Sequence, residues 1–321
     1  MSAALEAARA EGPKTHRLFG YPLHGSYASF LHNTITRLVD VPRKYSFMES
    51  TDMDAFLEYV RSDECAGSAV TMPHKVNICQ HLDELTEDGR NIGACNTIII
   101  RKGPNGERKL VGHNTDSVGV RESILRADDS HVKSGKIRPG AVFGAGGACR
   151  AAVYALTQWL NCSPIYVVNR DDAEVDAFIA DFERMTSDSF KPKLVHVKTV
   201  EQAEALDAPA YIVSAVPDFP PKTEEEKQAR AVAETFLAKD VKGVVNEMCY
   251  HPSPFTSFAK LSQDAGWKVV TGEHAMIWQG IEQQRLWLGV EEKDLPVDAI
   301  LDAVVKQVAS DKETGSQPPL E

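Results

Sequence analysis

Between Gly140 and Leu156 the chain reads Gly-Ala-Val-Phe-Gly-Ala-Gly-Gly-Ala-Cys-Arg-Ala-Ala-Val-Tyr-Ala-Leu, a short apolar run that enters a glycine turn and leaves it as an alanine-rich helix. Such a sequence fits a phosphate-binding strand–turn–helix. Gly144 can take the positive φ of a tight turn, Gly146 lets backbone N–H groups approach a pyrophosphate, and the following helix turns its positive end toward that anion. Ala145, Gly147 and Ala148 complete the loop. Cys149 stands where a G-x-G-x-x-G pattern has its third glycine, so strand and helix must pack around a slightly larger side chain. An ordinary strand-to-helix junction can carry the same glycines. The next apolar run separates the two cases. Ile165 to Val168 leads into Asn169, Arg170, Asp171 and Asp172, about 25 residues beyond Gly144, near the separation at which nucleotide-binding folds place the residues that read a ribose.

Composition excludes several other classes. With 321 residues, 43% hydrophobic and 25% charged, the chain has length for two domains and apolar surface for their cores. The formal charge is −11 and no segment concentrates Lys and Arg, so nucleic acid is not an expected partner. Cys65, Cys79, Cys95, Cys149, Cys162 and Cys249 are widely spaced with no C-x-x-C pair, which fits reduced, mostly buried thiols in a cytoplasmic protein. No H-E-x-x-H motif or dense His/Cys cluster is present, and no metal is expected. The first twelve residues lack a long apolar run and carry two Glu, which argues against a transit peptide. No apolar stretch reaches about 18 residues, so no membrane span is expected.

Periodicity along the chain alternates β and α from the start. Lys14 to Leu23 reads as a strand broken by Gly20 and Pro22, Ser29 to Leu38 as a helix, Lys44 to Met48 as a strand and Met53 to Arg61 as an amphipathic helix. Gly67 to Met72 is a small buried strand with Pro73, His74 and Lys75 just beyond its end, where open parallel sheets bind ligands. Ile92 to Ile100 and Lys109 to Asp116 flank a Gly103–Gly106 turn as a hairpin-like pair. Helix is expected at Val118 to Leu125, then a polar connector from Asp128 to Gly135. After the glycine loop, helices at 173–185 and 223–238 alternate with strands near 193–197, 210–214, 243–250 and 267–271. A helix follows from about residue 274, and the tail from Lys312 reads as disordered. The class is α/β with a parallel sheet.

Several stretches together resemble the shikimate and quinate dehydrogenase family, in the family's order across residues 18–290. Gly20-Tyr-Pro-Leu-His-Gly-Ser26 is similar to the loop that binds the substrate carboxylate, and Thr71-Met-Pro-His-Lys75 to the catalytic-lysine motif. Gly93-Ala-Cys-Asn-Thr97 and Asn114-Thr-Asp116 resemble the motifs that meet substrate hydroxyls, and Gly144-Ala-Gly-Gly-Ala148 the cofactor loop. Gly272, Met276 and Gln279 match the closing helix. The resemblance implies a substrate domain over 1–117 completed by helices in 273–321, and a Rossmann dinucleotide-binding domain over 118–272. It implies a monomer or homodimer that oxidises a ring hydroxyl of a cyclohexane or cyclohexene carboxylate, quinate or shikimate. It also implies Ser26, Thr71, Asn96, Asn114, Tyr250 and Gln279 at the substrate and Ser214, Gly272 and Met276 at the cofactor. The alternatives are a shikimate dehydrogenase of the biosynthetic direction and a non-catalytic ligand sensor.

Oxidising a secondary alcohol needs a hydride acceptor and a group that takes the hydroxyl proton. Lys75 and Asp116, each following a strand, are the candidates for the proton. A neighbouring carboxylate favours charged Lys75, so the two are treated as a proton-transfer pair rather than as one simple base. Asn96, Asn114 and Gln279 offer donors and acceptors suited to a polyol, and Tyr250 is a weaker candidate. His74 or His113 as general base is the competing assignment. NADP-using relatives resemble one another in an Asn-Arg-Thr stretch followed by a further basic residue. Here Arg170 is followed by Asp171, Asp172 and Glu174, with no Lys or Arg before Arg184, so NAD is the expected cofactor and NADP the alternative. The carboxylate loop also departs from the family, because Ser26-Tyr27-Ala28 lacks its second hydroxyl. Ser29, Tyr27 or a water would have to replace it, and the room left by Ala28 favours quinate.

Overall fold

The computed structural model describes residues 2–23, 26–185, 190–250 and 255–314, which pack as two compact units. The first comprises residues 1–89, 94–115 and 277–321, the second residues 90–93 and 116–276.

The first unit begins with helix α1 (Ala3–Ala10), strand β1 (Lys14–Gly20), α2 (Ala28–Leu38), β2 (Arg43–Glu49), α3 (Met53–Arg61) and β3 (Ser68–Val70). A 3₁₀ turn (Asn77–His81), β4 (Glu84–Leu85), α4 (Glu87–Ile92), β5 (Thr97–Lys102) and β6 (Arg108–His113) follow. The six strands form a mixed sheet in the order β2-β1-β3-β5-β6-β4, parallel at β2-β1-β3 and antiparallel at β3-β5-β6. One face is filled by Phe19, Phe56, Val60, Val70, Ile78, Cys95, Ile98 and Leu110. Asp52 starts α3 by accepting from the Ala55 N–H at 3.0 Å, the usual aspartate N-cap.

The second unit opens with α5 (Asp116–Ala127), the single-turn α6 (Ser130–Lys133), β7 (Arg138–Phe143), α7 (Gly147–Gln158), β8 (Cys162–Val168), α8 (Asp172–Met185) and β9 (Leu194–His196). It continues through α9 (Val200–Ala205), β10 (Tyr211–Ser214), α10 (Glu224–Ala238), β11 (Val244–Glu247), α11 (Ser257–Asp264) and β12 (Lys268–Thr271) into α12 (Gly272–Leu288). The last helix, α13 (Val297–Thr314), belongs to the first unit. All six strands of the second sheet are parallel, in the order β12-β11-β10-β7-β8-β9. This is the doubly wound order, whose direction reverses between β7 and β10. The α/β class and the parallel sheet are as the periodicity implies.

Several boundaries differ from the sequence expectation. Residues 92–96 are not strand: α4 runs to Ile92 and stops at Gly93, whose φ of +66° is the left-handed C-cap that glycine supplies. The strand before Asp116 ends at His113, and Asp116 already opens α5. Helix α12 starts at Gly272, and α13 continues through Thr314 where a disordered tail was expected; 315–321 lie outside the described residues. The polar connector contains α6, and alanine-rich α1, a strong helix former, buries Leu5 and Ala8.

Candidate functional site

In the second unit the site is built on strand ends. The Gly144 N–H donates to the Val168 carbonyl at 2.8 Å, the Ala215 N–H to Phe143 at 3.0 Å and the Met248 N–H to Ser214 at 2.8 Å. The carboxyl ends of β8, β7, β10 and β11 therefore lie side by side, at the edge where doubly wound sheets take ligands. Gly144 has φ +109°, and a Cβ there would sit 2.9 Å from the Cys149 sulfur. The larger atom at the third glycine position is thus accommodated by the first glycine. Burial pushes the Cys149 thiol up to about 12, so it packs as an uncharged group.

Gly146 is different. It is the N-cap of α7 with ordinary backbone angles, no side chain caps the helix, and no acid lies in its first turn. A Cβ at Gly146 would meet nothing within 4 Å. Nothing in the protein's own packing requires glycine there. The open space before an uncapped helix end fits the pyrophosphate of a dinucleotide, with Ala145, Gly147 and Ala148 around it.

The stretch after β8 is more heavily paired than its sequence implies. Asn169 donates to Glu174 at 2.7 Å, and Asp171 caps α8 by accepting from Ala173 at 2.9 Å and Glu174 at 3.3 Å. Lys198 reaches Asp172 at 3.0 Å, so a cation does stand close to the acids although none is near in sequence. Arg170 pairs with Glu226 at 2.5 Å. Ser214 is buried at the end of β10 beside its register partner Glu247, which is 1% exposed. Burial raises the Glu247 carboxyl to about 7, against the lowering effect of hydrogen bonds from Cys249 and Ser214. Sequence reading passed over Glu247 because nothing local separates it from a surface glutamate. Gly272 is required by close approach, since a Cβ would stand 2.3 Å from the Met248 carbonyl oxygen and 2.9 Å from the Tyr250 ring. Met276 is buried in α12, and Asp116 is nearly buried as the first residue of α5.

In the first unit, Gly20 and the segment after β3 are in close contact. A Cβ on Gly20 would come within 2.4 Å of the Thr71 methyl and 2.7 Å of the Met72 oxygen, and Tyr21 N–H donates to Met72 at 3.0 Å. Lys75 follows, its carbonyl accepting from Cys95 at 2.7 Å, which ties the lysine segment to the segment leading into Asn96. Asn96 is 3% exposed. Its amide donates to Thr115 at 3.0 Å and Gln279 at 3.2 Å, and its oxygen accepts from Thr97 at 2.7 Å and the Thr115 N–H at 2.8 Å. Asn114 is fully buried and donates to the Ala94 carbonyl at 2.8 Å. Thr115, Thr97 and Gln283 complete this network; the two threonines lie within the sequence motifs, whereas Gln283 is an unremarkable polar residue until the fold joins positions far apart in the chain.

Two expectations for the carboxylate loop are corrected. Ser29 does not stand in for the missing hydroxyl: it is fully buried, bonded to the Tyr45 carbonyl at 3.4 Å and to Asn33 at 3.2 Å. The Ala28 methyl packs in a cluster with Leu18, Leu23, Tyr45 and Ala69, so its small size serves the core and is no argument for room at a substrate. Ser26 accepts from the Ala28 N–H at 3.2 Å, while His24 and Gly25 lie outside the described residues. Of the competing histidines, His74 stacks on Phe19 and His113 bonds to Thr86 at 2.8 Å, with burial holding His113 below the usual imidazole range.

Among the described residues no helix is long and apolar enough to cross a membrane, and no group of three or more potential ligands could hold a metal ion. Residues 18–98 match the shikimate dehydrogenase substrate binding domain. Quinate dehydrogenase of Emericella nidulans is 43% identical over 286 residues, which is 85% of this chain and 87% of that protein. Dehydroquinate dehydratase and shikimate dehydrogenase from S. pombe AroM matches with a TM-score of 0.73 at 27% identity, covering 94% of this chain and 56% of that longer one. Quinate dehydrogenase from Corynebacterium glutamicum in complex with NAD matches with a TM-score of 0.72 over 92% of this chain and 99% of that one; at 22% identity this speaks to fold alone. With its doubly wound sheet, open glycine loop and these relatives, the chain belongs to the shikimate and quinate dehydrogenase family of NAD(P)-dependent oxidoreductases.

Proposed function

We propose that this protein is a cytoplasmic quinate dehydrogenase that also accepts shikimate, oxidising a ring hydroxyl to the 3-dehydro ketone. The observation that carries the substrate assignment is the 43% identity to a quinate dehydrogenase across 87% of that protein's length. In this proposal Ser26, Thr71, Asn96, Asn114, Tyr250 and Gln279 are the substrate residues. The dinucleotide is held by the 144–148 loop, Asn169, Arg170, Asp171, Ser214, Gly272 and Met276. When bound, it accepts the hydride from the ring carbon. Lys75 and Asp116 manage the other half of the reaction: as the carbon–hydrogen bond breaks, the hydroxyl proton passes to this pair and on to solvent. The network that fixes Asn96 to Thr115 and Gln279 supports a preorganised surface for neighbouring hydroxyls.

Replacing Lys75 tests the assignment. Lys75→Ala should lower kcat for quinate by about 100-fold or more while leaving the dissociation constant for the dinucleotide unchanged, the signature of a lost proton-transfer group. Near-wild-type turnover would remove Lys75 from the mechanism. The sensor alternative, in which ligand is bound without turnover, requires no quinate-dependent reduction of dinucleotide by the wild type.

A further inference from the structure

Arg170 lies two residues beyond β8, next to the glycine loop that bonds to Val168. In doubly wound folds the residues at this strand end meet the ribose of the dinucleotide, and a free arginine there accommodates a 2′-phosphate. This arginine is paired with a residue 56 positions away. Its Nη1 donates to Glu226 Oε1 at 2.5 Å, and the same carboxylate accepts through Oε2 from the N–H groups of Lys222 at 2.8 Å and Thr223 at 3.2 Å. Glu226 is thus the third residue of α10 and half of a reciprocal capping box with Thr223. Its position is set by the helix start. The backbone hydrogen bonds, with Arg170 as a further cause, hold its carboxyl below the usual carboxylate range, so it carries its charge at neutral pH. The Arg170 side chain is 63% exposed, and the ion pair contributes little to stability.

We infer that Glu226 is the specificity-determining residue that makes this enzyme select the dinucleotide without a 2′-phosphate. The inference rests on the dehydrogenase reading and deepens it. Glu226 neutralises the Arg170 side chain at the strand end and sets a fixed negative charge beside it. A 2′-phosphate must then displace a preorganised carboxylate or bind next to it, whereas an unesterified ribose hydroxyl meets a hydrogen-bond acceptor. The acids after Arg170 contribute less to this field. Asp171 caps α8, Asp172 is paired with Lys198, and Glu174 accepts from Asn169.

Glu226→Gln removes the charge while keeping an oxygen that can accept from Lys222 and Thr223, so the capping box survives. The experiment measures kcat/KM for NAD and NADP with quinate, together with dissociation constants for both dinucleotides by calorimetry, on wild type, E226Q, R170A and the double variant. E226Q should raise the NADP-to-NAD ratio about tenfold or more, the worth of one freed charge-assisted contact. R170A sets the NADP-to-NAD ratio without the arginine, and the double variant should lose the gain. A ratio within twofold of wild type in E226Q, a gain that survives removal of Arg170, or a wild type that prefers NADP would each overturn the inference while leaving the dehydrogenase assignment standing. A wild type that binds neither dinucleotide would overturn both.

Discussion

Glu247 shows how a single residue carries a consequence that sequence does not announce. Its carboxyl is enclosed at the end of β11, with Ser214 and the Cys249 N–H as hydrogen-bond donors, Asp218 opposing its charge and Arg230 favouring it. Burial outweighs the favourable contacts and raises it from 4.5 to about 7. The sign follows directly. Between those two values the folded chain holds a proton that the unfolded chain has released, so stability falls as pH rises through that window and levels off above it. Glu247→Gln should therefore stabilise the protein at about pH 8, by roughly 1–3 kcal/mol, and change it little at about pH 5. Urea denaturation at the two pH values measures this, and an equal effect at both would place the carboxyl in its ordinary range.

At the level of elements, the turn between β7 and α7 separates two uses of glycine that look alike in sequence. Gly144 serves the fold: it has φ +109°, and a Cβ on it would sit 2.9 Å from the Cys149 sulfur. Gly146, proposed to serve the ligand, has ordinary backbone angles and open space in front. Gly144→Ala should destabilise by about 1–3 kcal/mol, the cost of a side chain in strained left-handed backbone. Gly146→Ala should leave the melting temperature within a degree or two, since roughly 1 kcal/mol moves it by only a few degrees, yet weaken dinucleotide binding. Melting curves and calorimetric titration separate the two, and equal destabilisation by both substitutions would assign Gly146 to packing. The alternation of strand and helix was legible because periods of two and 3.6 are local properties. The order of the strands, with β10 inserted beside β7, was not, because it depends on which distant segments pair. The same holds for the candidate site. The glycine loop stood out in a few residues, whereas Glu226 on Arg170 and Lys198 on Asp172 depend on folding. Ala28 was misjudged for the same reason, because sequence shows its size but not that it faces the Leu18 and Tyr45 cluster.

On the scale of the whole molecule, the chain builds one unit to Thr115 except for residues 90–93, builds a second from Asp116 to Met276 and returns to the first at Ile277. Asn96 and Gln279, 183 residues apart, share a hydrogen bond within the first unit, so the C-terminal helix segment belongs to its polar network. The net charge of −11 keeps the molecule from polyanions, while the proposed anion-binding feature, the α7 start, is made of backbone dipoles rather than basic side chains. The proposed reaction is the oxidation of a small cyclic polyol acid at the expense of a dinucleotide. The direct test is the appearance of reduced nicotinamide when the purified protein is given quinate and NAD. Steady, quinate-dependent reduction that is faster with NAD than with NADP and is lost in Lys75→Ala is the expected result; failure to reduce either dinucleotide with quinate would contradict the dehydrogenase assignment.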